Sequence, residues 1–535
     1  MSPDPANTKL SGTFRSLSSN SSIENFSWFH FGIILAVSVL FRLLHNCPGY
    51  NEFDVLAVAR HFADPDWISG DWYLGQRIGY RYLFNIIAGF PAKTLSFLTL
   101  IFFGRLILLI IFSIALTKII RSLRILILAF IPLLAYFITN QSLFAQEWMI
   151  GGLETKAFAY AFILLALAFS LERKAYLTAF FLGLSFSFHI LVGFYGAVCL
   201  GLSFLIIYGR SVLFPSTKKL LTTLAILILS GCFGIYSVVQ YIFASASANK
   251  QLASELHVLY RVSHHVLPSA WNNNYWAPII LCITAFLTVI FTKTRSKSNK
   301  LITLSTLFSL SFFGLGIVFY LSDFSGGLRF YLFRFADVYV PFSIMLLVAT
   351  FISSTMEAKS NRVKKVFIIL MYILNGLVLI YGITIGYNDS KIYKKTFKNG
   401  YLYRDLELQK TLKWISCNTE KNAVFLIPPS LEEFYFTALR PAFVTLKHSP
   451  QNDTEIIEWF ERIKLCNGES PPPRGIGIYR YEDEIDSHYF NLDEANLRVI
   501  ASNYTIDFYL DRADKPLELP IVFQNQGYRL YSIRN

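Results

Sequence analysis

Two acids stand close behind the first long apolar run of the chain, Glu52 and Asp54 in the stretch Asn51-Glu52-Phe53-Asp54. Three later polar interruptions gather further ionisable groups. QSLFAQEWMIGGLETKAFAYAF carries Glu147, Glu154 and Lys156; YRVSHHVLPSAWNNNYW carries Arg261, His264 and His265; SDFSGGLRFYLFRFADVYVPF carries Arg329, Arg334 and Asp337. Carboxylates at a membrane face are costly unless solvated or paired, and acids opposite several cations suit chemistry on a lipid-linked phosphate. Arg and Lys bind the phosphate and stabilise its growing charge as it leaves. A carboxylate accepts the proton of an attacking hydroxyl or amine, and aromatic neighbours keep water from a glycosyl donor. Plainer readings stand beside these. The first-loop acids, with Asp64, Asp66 and Asp71, suit a wet loop that holds a helix end in register. Arg334 and Asp337, at i and i+3, suit an intrahelical ion pair, and His189 a satisfied core histidine. Adjacent residues such as His264 and His265 rarely point at one ion, and no spaced third ligand accompanies them, so no metal site is expected.

The elements that must position these groups are membrane helices. Of 535 residues, 54% are hydrophobic and 16% charged, against about 25% charge in soluble domains. Apolar blocks long enough to cross about 30 Å of hydrocarbon predict eleven spans, at 28–46, 95–118, 123–140, 157–171, 175–188, 190–208, 220–244, 276–292, 301–321, 335–353 and 366–387. The block 175–208 is too long for one span and is divided near His189. Segment 80–94 is apolar but broken by Arg81, Pro91 and Lys93, and reads as a helix lying against the bundle or the interface. This predicts a polytopic α-helical membrane protein.

The net charge of +13 resides in the first 388 residues, largely in short loops. Lys118, Arg121 and Arg124 form one cluster, and Arg173 and Lys174 a second. Arg210, Lys218 and Lys219 follow, then the run Lys293–Lys300, then Arg362, Lys364 and Lys365. With eleven spans and a cytoplasmic N-terminus all five fall on the cytoplasmic side, as the positive-inside rule asks. Loop 47–94 and the later acid-bearing loops then face outward. The bases meet anionic lipid headgroups; nucleic acid is not an expected partner, because no basic stripe with a folded reader motif is present. Residues 1–27 are Ser- and Asn-rich and read as a disordered cytoplasmic tail. The first apolar run lacks an adjacent cleavage site and reads as an anchor.

Residues 28–388 form the helical domain, and residues 389–535 are different material. Ala423–Pro428 reads as a strand, Thr454–Leu465 as an amphipathic helix and Asp493–Ser502 as another, followed by strands at Thr505–Leu510, Leu519–Gln524 and Tyr528–Ile533. Alternating periods of 3.6 and 2 predict a small exported α/β domain. Cys417 and Cys466 both fall in it, either bonded, if the compartment is oxidising, or as two separate thiols.

With an acidic motif behind the first span, a long first outer loop and an exported C-terminal domain, the chain resembles the GT-C class of integral-membrane glycosyltransferases. NEFD (51–54), GGLETKAFAY (151–160), RVSHHVLP (261–268) and FYLFRFADVYVP (330–341) resemble an uncharacterised bacterial family of that class, found in cyanobacteria among others. The tail stretches FLIPPSLEEF, RPAFVTLKHSP and EWFERI resemble that family's C-terminal domain. The resemblance implies an inverting transfer of sugar from a polyprenyl-phosphate donor to an acceptor outside the bacterial inner membrane. It makes Asp54, or Glu52, the base on the acceptor. Arg329 and Arg334 come first as phosphate ligands, followed by Lys156, Arg261, His264 and His265. Many relatives carry Asp-Glu or Asp-x-Asp where this chain has Glu52-Phe53-Asp54. A monophosphate donor generally requires no metal, whereas a diphosphate donor would bring a divalent cation. The tail would cover the cleft and choose the acceptor through Arg440, Lys447 and Trp459.

Two other classes compete. A transporter or flippase should spread polar residues through the membrane's depth and show an internal repeat, whereas here the ionisable groups crowd one face. A catalytically silent envelope scaffold would keep its role without Glu52 and Asp54.

Overall fold

The computed structural model describes residues 26–76, 81–244, 249–271, 296–400, 405–477 and 480–533, with the single positions 283, 286 and 287. The expected span at 276–292, apart from those positions, and the N-terminal tail up to residue 25 lie outside the described residues.

The bundle begins with α1 (Trp28–Arg42), α2 (Tyr50–Ala63), α3 (Tyr82–Ala92), α4 (Phe97–Ser122) and α5 (Ile127–Thr139). It continues with α6 (Thr155–Leu171), α7 (Ala175–Phe188), α8 (Ile190–Val212), α9 (Thr217–Ser230), α10 (Cys232–Ala244), α11 (Lys297–Leu321), α12 (Arg334–Glu357) and α13 (Asn361–Asn399). Five of these, α4, α8, α11, α12 and α13, are long and apolar enough to cross a membrane, and α9 with α10 makes a sixth if the pair, bent by 61°, is one span. Helices α1, α3, α5, α6 and α7 are apolar but shorter. The break between α7 and α8 falls at His189, whose backbone is extended and whose Nδ1 accepts the Val192 N–H at 3.3 Å, capping α8.

Helix α6 is buried along nearly its whole length and forms the axis of the bundle. Helix α13 is the opposite case, apolar yet almost wholly exposed, as suits a helix that faces lipid on most sides. It runs on to Asn399 rather than ending at the expected boundary near 388. Helix α2, starting seven residues behind α1, packs on α3 and carries Glu52 and Asp54 on its buried side.

The tail holds a four-stranded sheet in the order β1 (Phe425–Leu426), β2 (Phe508–Arg512), β4 (Tyr528–Ser532), β3 (Ile521–Gln524). The first pair is parallel and the other two antiparallel. Helix α14 (Leu406–Asn418) leads in, and α15 (Asp453–Cys466) and α16 (Glu494–Asn503) complete the layer. Helix α15 turns Ile456, Trp459, Phe460 and Ile463 into a core shared with Tyr509 and Tyr531, which is why its apolar residues recur at helical spacing. The expected tail strands and helices all appear, each within a few residues of its predicted ends.

The tail sits on the bundle's loops. The Asp71 carboxylate accepts the N–H of Ala442 at 2.9 Å and that of Leu74 at 2.7 Å, so one first-loop acid pins the tail. Phe436 stacks on Phe97 with centroids 3.8 Å apart, and the Arg462 guanidinium lies 4.3 Å over the Trp72 ring. Tyr260 packs on Phe460, and the Tyr481 hydroxyl donates to the Tyr260 carbonyl.

Candidate functional site

A cavity of about 940 Å³ opens where the first loop, the second loop, the segment 261–265, the start of α12 and the tail meet. Its described lining has four carboxylates, Glu52, Asp54, Glu147 and Glu154. Against them stand seven cations, Arg42, Arg81, Arg105, Lys156, Arg261, Arg334 and Lys447. Such a surplus makes the space an attractor for anions.

Glu52 is fully buried, and its carboxylate takes both arms of the Arg105 guanidinium at 2.7 Å. It also closes its own helix, accepting the Gly49 N–H at 2.6 Å in a capping-box arrangement, and it accepts the Leu153 N–H from the second loop. Arg105 spends its remaining donors on the carbonyls of His45 and Asn46. Gly152 permits this junction: a Cβ there would lie 2.9 Å from Glu52 Oε1. With its lone pairs so used, Glu52 joins three segments, and nothing in that arrangement leaves it a proton-accepting role.

Asp54 takes Arg81 and the Tyr73 hydroxyl, both at 2.5 Å. Burial would raise its carboxyl, but the Arg81 guanidinium, with the Tyr73 hydroxyl and nearby His448, overcomes it and holds Asp54 down at about 2. Unlike Glu52, it forms no hydrogen bond to the second loop among the described residues.

Glu147 is held by Lys156 at 2.6 Å and by Arg334. Burial works against its ionisation, and those two cations win, keeping it at about 2. Glu154, 3.3 Å from Lys156, is shifted the other way, with burial dominating. Arg334 and Asp337 are not the intrahelical pair their spacing allowed. Arg334 reaches Glu147, while the Asp337 carboxylate accepts the N–H groups of Leu143, Phe144, Ala145 and Glu147 and the Ser142 hydroxyl at 2.7–3.1 Å. Asp337 therefore shapes the loop that carries Glu147, and four backbone donors satisfy it better than one guanidinium would.

His264 and His265 both line the cavity. Burial, with positive neighbours that include Arg261 for His264, pushes both below the usual histidine range, His264 to about 3, so both are neutral. His265 Nδ1 lies 2.6 Å from the Ala145 carbonyl, which fixes the proton on that nitrogen. His189 also lines the cavity rather than a closed core. From the tail come Lys447, reaching the Asn51 amide oxygen, and Ser449 and Gln451.

Three expected site residues do other work. Arg329 is absent from the described lining; it reaches out to Asp453 and the Gln451 carbonyl and fastens the tail. The resemblance put it first among the phosphate ligands, but its guanidinium is taken up by the tail. Arg440 donates to the carbonyls of Ser416 and Thr419, closing the C-terminal end of α14. Trp459 is buried in the tail core and donates to the Thr445 carbonyl. Cys417 and Cys466 are both free thiols, the first exposed and the second buried. Among the described residues no group of three or more His, Cys, Asp or Glu side chains is placed to hold a metal ion.

Arg81 and Arg105, the partners that decide the fate of the two first-loop acids, were missed as functional candidates. Arg105 carried a signal, since a lone arginine inside an apolar run is expensive without a partner. Arg81 stood only as an interruption of an apolar stretch, and nothing local to it pointed at Asp54.

Fold and site define a membrane protein of many apolar helices whose extramembrane α/β tail closes a cationic cavity at one end of the bundle. The family described as a domain of unknown function (DUF6798) matches residues 407–466, within that tail. No curated protein matches the chain. Among solved structures the chain is similar to the archaeal oligosaccharyltransferase AglB from Archaeoglobus fulgidus in complex with an inhibitory peptide and a dolichol-phosphate. That likeness has 12% identity and a TM-score of 0.47, over 91% of this chain and 70% of the other. It is also similar to the Archaeoglobus fulgidus oligosaccharyltransferase tethered with an acceptor peptide containing the NVT sequon, at 14% identity and a TM-score of 0.46, over 91% and 69%.

Proposed function

We propose that the chain is an inverting glycosyltransferase that moves a sugar from a polyprenyl-phosphate donor to an acceptor in the cavity beneath the tail. The observation that carries this reading is the lining itself: among the described residues, Asp54 shares one space with seven cations and only three other carboxylates. That space adjoins an apolar bundle in which an isoprenoid tail can stay. In this reading the helices form eleven spans, with the N-terminus cytoplasmic and residues 389–535 outside the inner membrane of a bacterium.

The chemistry is a single displacement. The acceptor's hydroxyl or amine attacks the anomeric carbon from the face opposite the phosphate, its proton passing to Asp54. The bond from that carbon to the phosphate oxygen breaks, and the electron pair leaves with the phosphate. Arg334 and Lys156 balance the charge that develops there, with neutral His265 shaping the wall. No general acid is needed for such a leaving group, so one carboxylate and a cationic cradle suffice. Asp54 held at about 2 is a weak base on its own. A phosphate entering the cavity competes for Arg81, and as that guanidinium turns to the new anion the basicity of Asp54 rises.

The test uses the purified full chain, polyprenyl-phosphate sugars and a cell-envelope extract as acceptor source. Release of polyprenyl phosphate is expected, falling about 10²–10⁴-fold in Asp54→Asn, the usual contribution of a positioned base. Release that persists undiminished in Asp54→Asn removes the base. A chain that neither binds nor turns over any such donor leaves the transporter and scaffold readings in possession.

A further inference from the structure

Of the four acids in the cavity's described lining, three already have work. Glu52 joins three segments through Arg105 and two backbone N–H groups. Glu147 bridges Lys156 and Arg334. Asp54, held by Arg81 and the Tyr73 hydroxyl, takes the acceptor's proton in the reading above. Glu154 is the fourth. It stands at the N-cap of α6, where a side chain ordinarily accepts an N–H of the first turn, yet its own makes no such bond. It is only 4% exposed and lines the cavity. Its Oε1 has no hydrogen-bond partner among the described residues and meets the Lys156 ammonium only at 3.3 Å. Burial disfavours its ionised form, and Lys156, which also serves Glu147, offsets this in part. A buried polar atom left in that state calls for a reason, of which a role toward a ligand is one.

The neighbours indicate which group belongs there. Lys156 and Arg334 face the donor phosphate in the transferase reading, and Glu154 lies directly beside Lys156. In a glycosyl phosphate the anomeric carbon, bonded to the phosphate oxygen, is followed at once by the carbon that bears the neighbouring hydroxyl. A phosphate seated on Lys156 therefore brings that hydroxyl, before any other of the sugar, within reach of Glu154. The acceptor attacks from the opposite face, on the side of Asp54.

We infer that Glu154 accepts a hydrogen bond from the hydroxyl next to the anomeric carbon of the transferred sugar and reads that hydroxyl's configuration. This rests on the transferase reading and deepens it to the sugar: the donor carries a free hydroxyl at that carbon. As the bond to phosphate breaks, positive charge grows on the anomeric carbon and the hydroxyl beside it becomes a stronger donor, so its bond to Glu154 tightens in the transition state. The proton stays on the sugar oxygen throughout, and Glu154 forms no covalent bond.

The test follows release of polyprenyl phosphate by the full chain from three donors. These are β-linked polyprenyl-phosphate mannose, its glucose counterpart, and the 2-deoxy donor that lacks the hydroxyl in which those two differ. The parent chain is expected to favour one hexose over the 2-deoxy donor by about 10–100-fold in kcat/KM, the worth of a hydrogen bond to a charged group, expressed mainly in kcat. Glu154→Leu should collapse that preference, and the preference between mannose and glucose with it. Its kcat/KM for the 2-deoxy donor should change less than about threefold, which also shows that the variant is folded. Glu154→Gln, which keeps an acceptor oxygen, should retain part of the preference. A preference that survives in Glu154→Leu, or an equal loss on all three donors, overturns the role of Glu154 and leaves the transferase reading intact. Failure of the parent chain with all three donors overturns that reading as well.

Discussion

Glu52 and Asp54 lie two residues apart on one helix, both buried, each paired with an arginine, and they differ in everything that matters for chemistry. Glu52 accepts from Arg105 and from two backbone N–H groups in different loops. Asp54 accepts from Arg81 and a tyrosine hydroxyl. The first carboxylate is a junction between segments of backbone and cannot be given a new partner without separating them. The second is held only by side chains, which can turn. A buried acid beside an arginine is therefore not informative by type; the number of backbone donors it satisfies decides whether it is architecture or equipment.

The largest effect expected from this contrast is on stability. Glu52→Gln leaves Arg105 as an uncompensated buried charge, which costs about 3–5 kcal/mol. A large drop in melting temperature and in folded yield is expected, with Arg105→Met as severe. Asp54→Asn keeps a hydrogen-bonding group beside Arg81 and should lower the melting temperature much less while cutting turnover about 10²–10⁴-fold. Equal melting losses in the two variants would erase the distinction drawn between them.

Much of this architecture was legible in the sequence. Apolar block lengths gave the helices, the odd length of 175–208 gave the break at His189, and the change of period gave the tail strands and α15. The cavity's outline was legible too, because Asp54, Lys156, Arg261, His264, His265 and Arg334 do line one space. What the sequence withheld were pairings between distant segments. Arg105 meets Glu52 across 53 positions and Arg334 meets Glu147 across 187, and no local rule links them. Arg329 misled for the same reason: its partner Asp453 lies in another domain. Arg440 and Trp459 misled because a charged or aromatic residue in an outer domain invites a contact role, whereas carbonyls of α14 and Thr445 had already engaged them.

A second test works through pH. Asp54 and Glu147 titrate at about 2 in the folded chain, below their ordinary 3.8 and 4.5. Carboxyls lowered by folding stabilise the native state fully above their unfolded values, and that stabilisation is lost as the pH falls toward the folded ones. Glu154, raised by burial, acts in the opposite sense over its own range. The melting temperature should thus be insensitive to Asp54 and Glu147 from about pH 7 to pH 5 and drop below about pH 4. Arg81→Met removes what holds Asp54 down, so the acid limb of turnover should move to higher pH in that variant. An unmoved limb would mean that Asp54 is not the group whose protonation stops the reaction.

The smallest expected effect concerns the tail's fastening. Arg329 holds Asp453 and the Gln451 carbonyl, next to the strap that carries Lys447 and Ser449, yet the tail is also pinned by Asp71, by Phe436 stacked on Phe97 and by Arg462 over Trp72. With several independent attachments, Arg329→Gln should cost only about 1.5–3 kcal/mol, the worth of a charged hydrogen bond. The tail should stay docked, with proteolysis between the bundle and residue 405 no faster than in the parent chain. Gly477→Ala is the sharper probe of docking, because its backbone has φ +88° and a Cβ there would lie 2.8 Å from His264 Nδ1. The tail must give way at that point or push His264 aside. If both variants raise protease sensitivity alike, the tail hangs on one clasp rather than several, and the cavity's outer wall is a gate instead of a fixed surface.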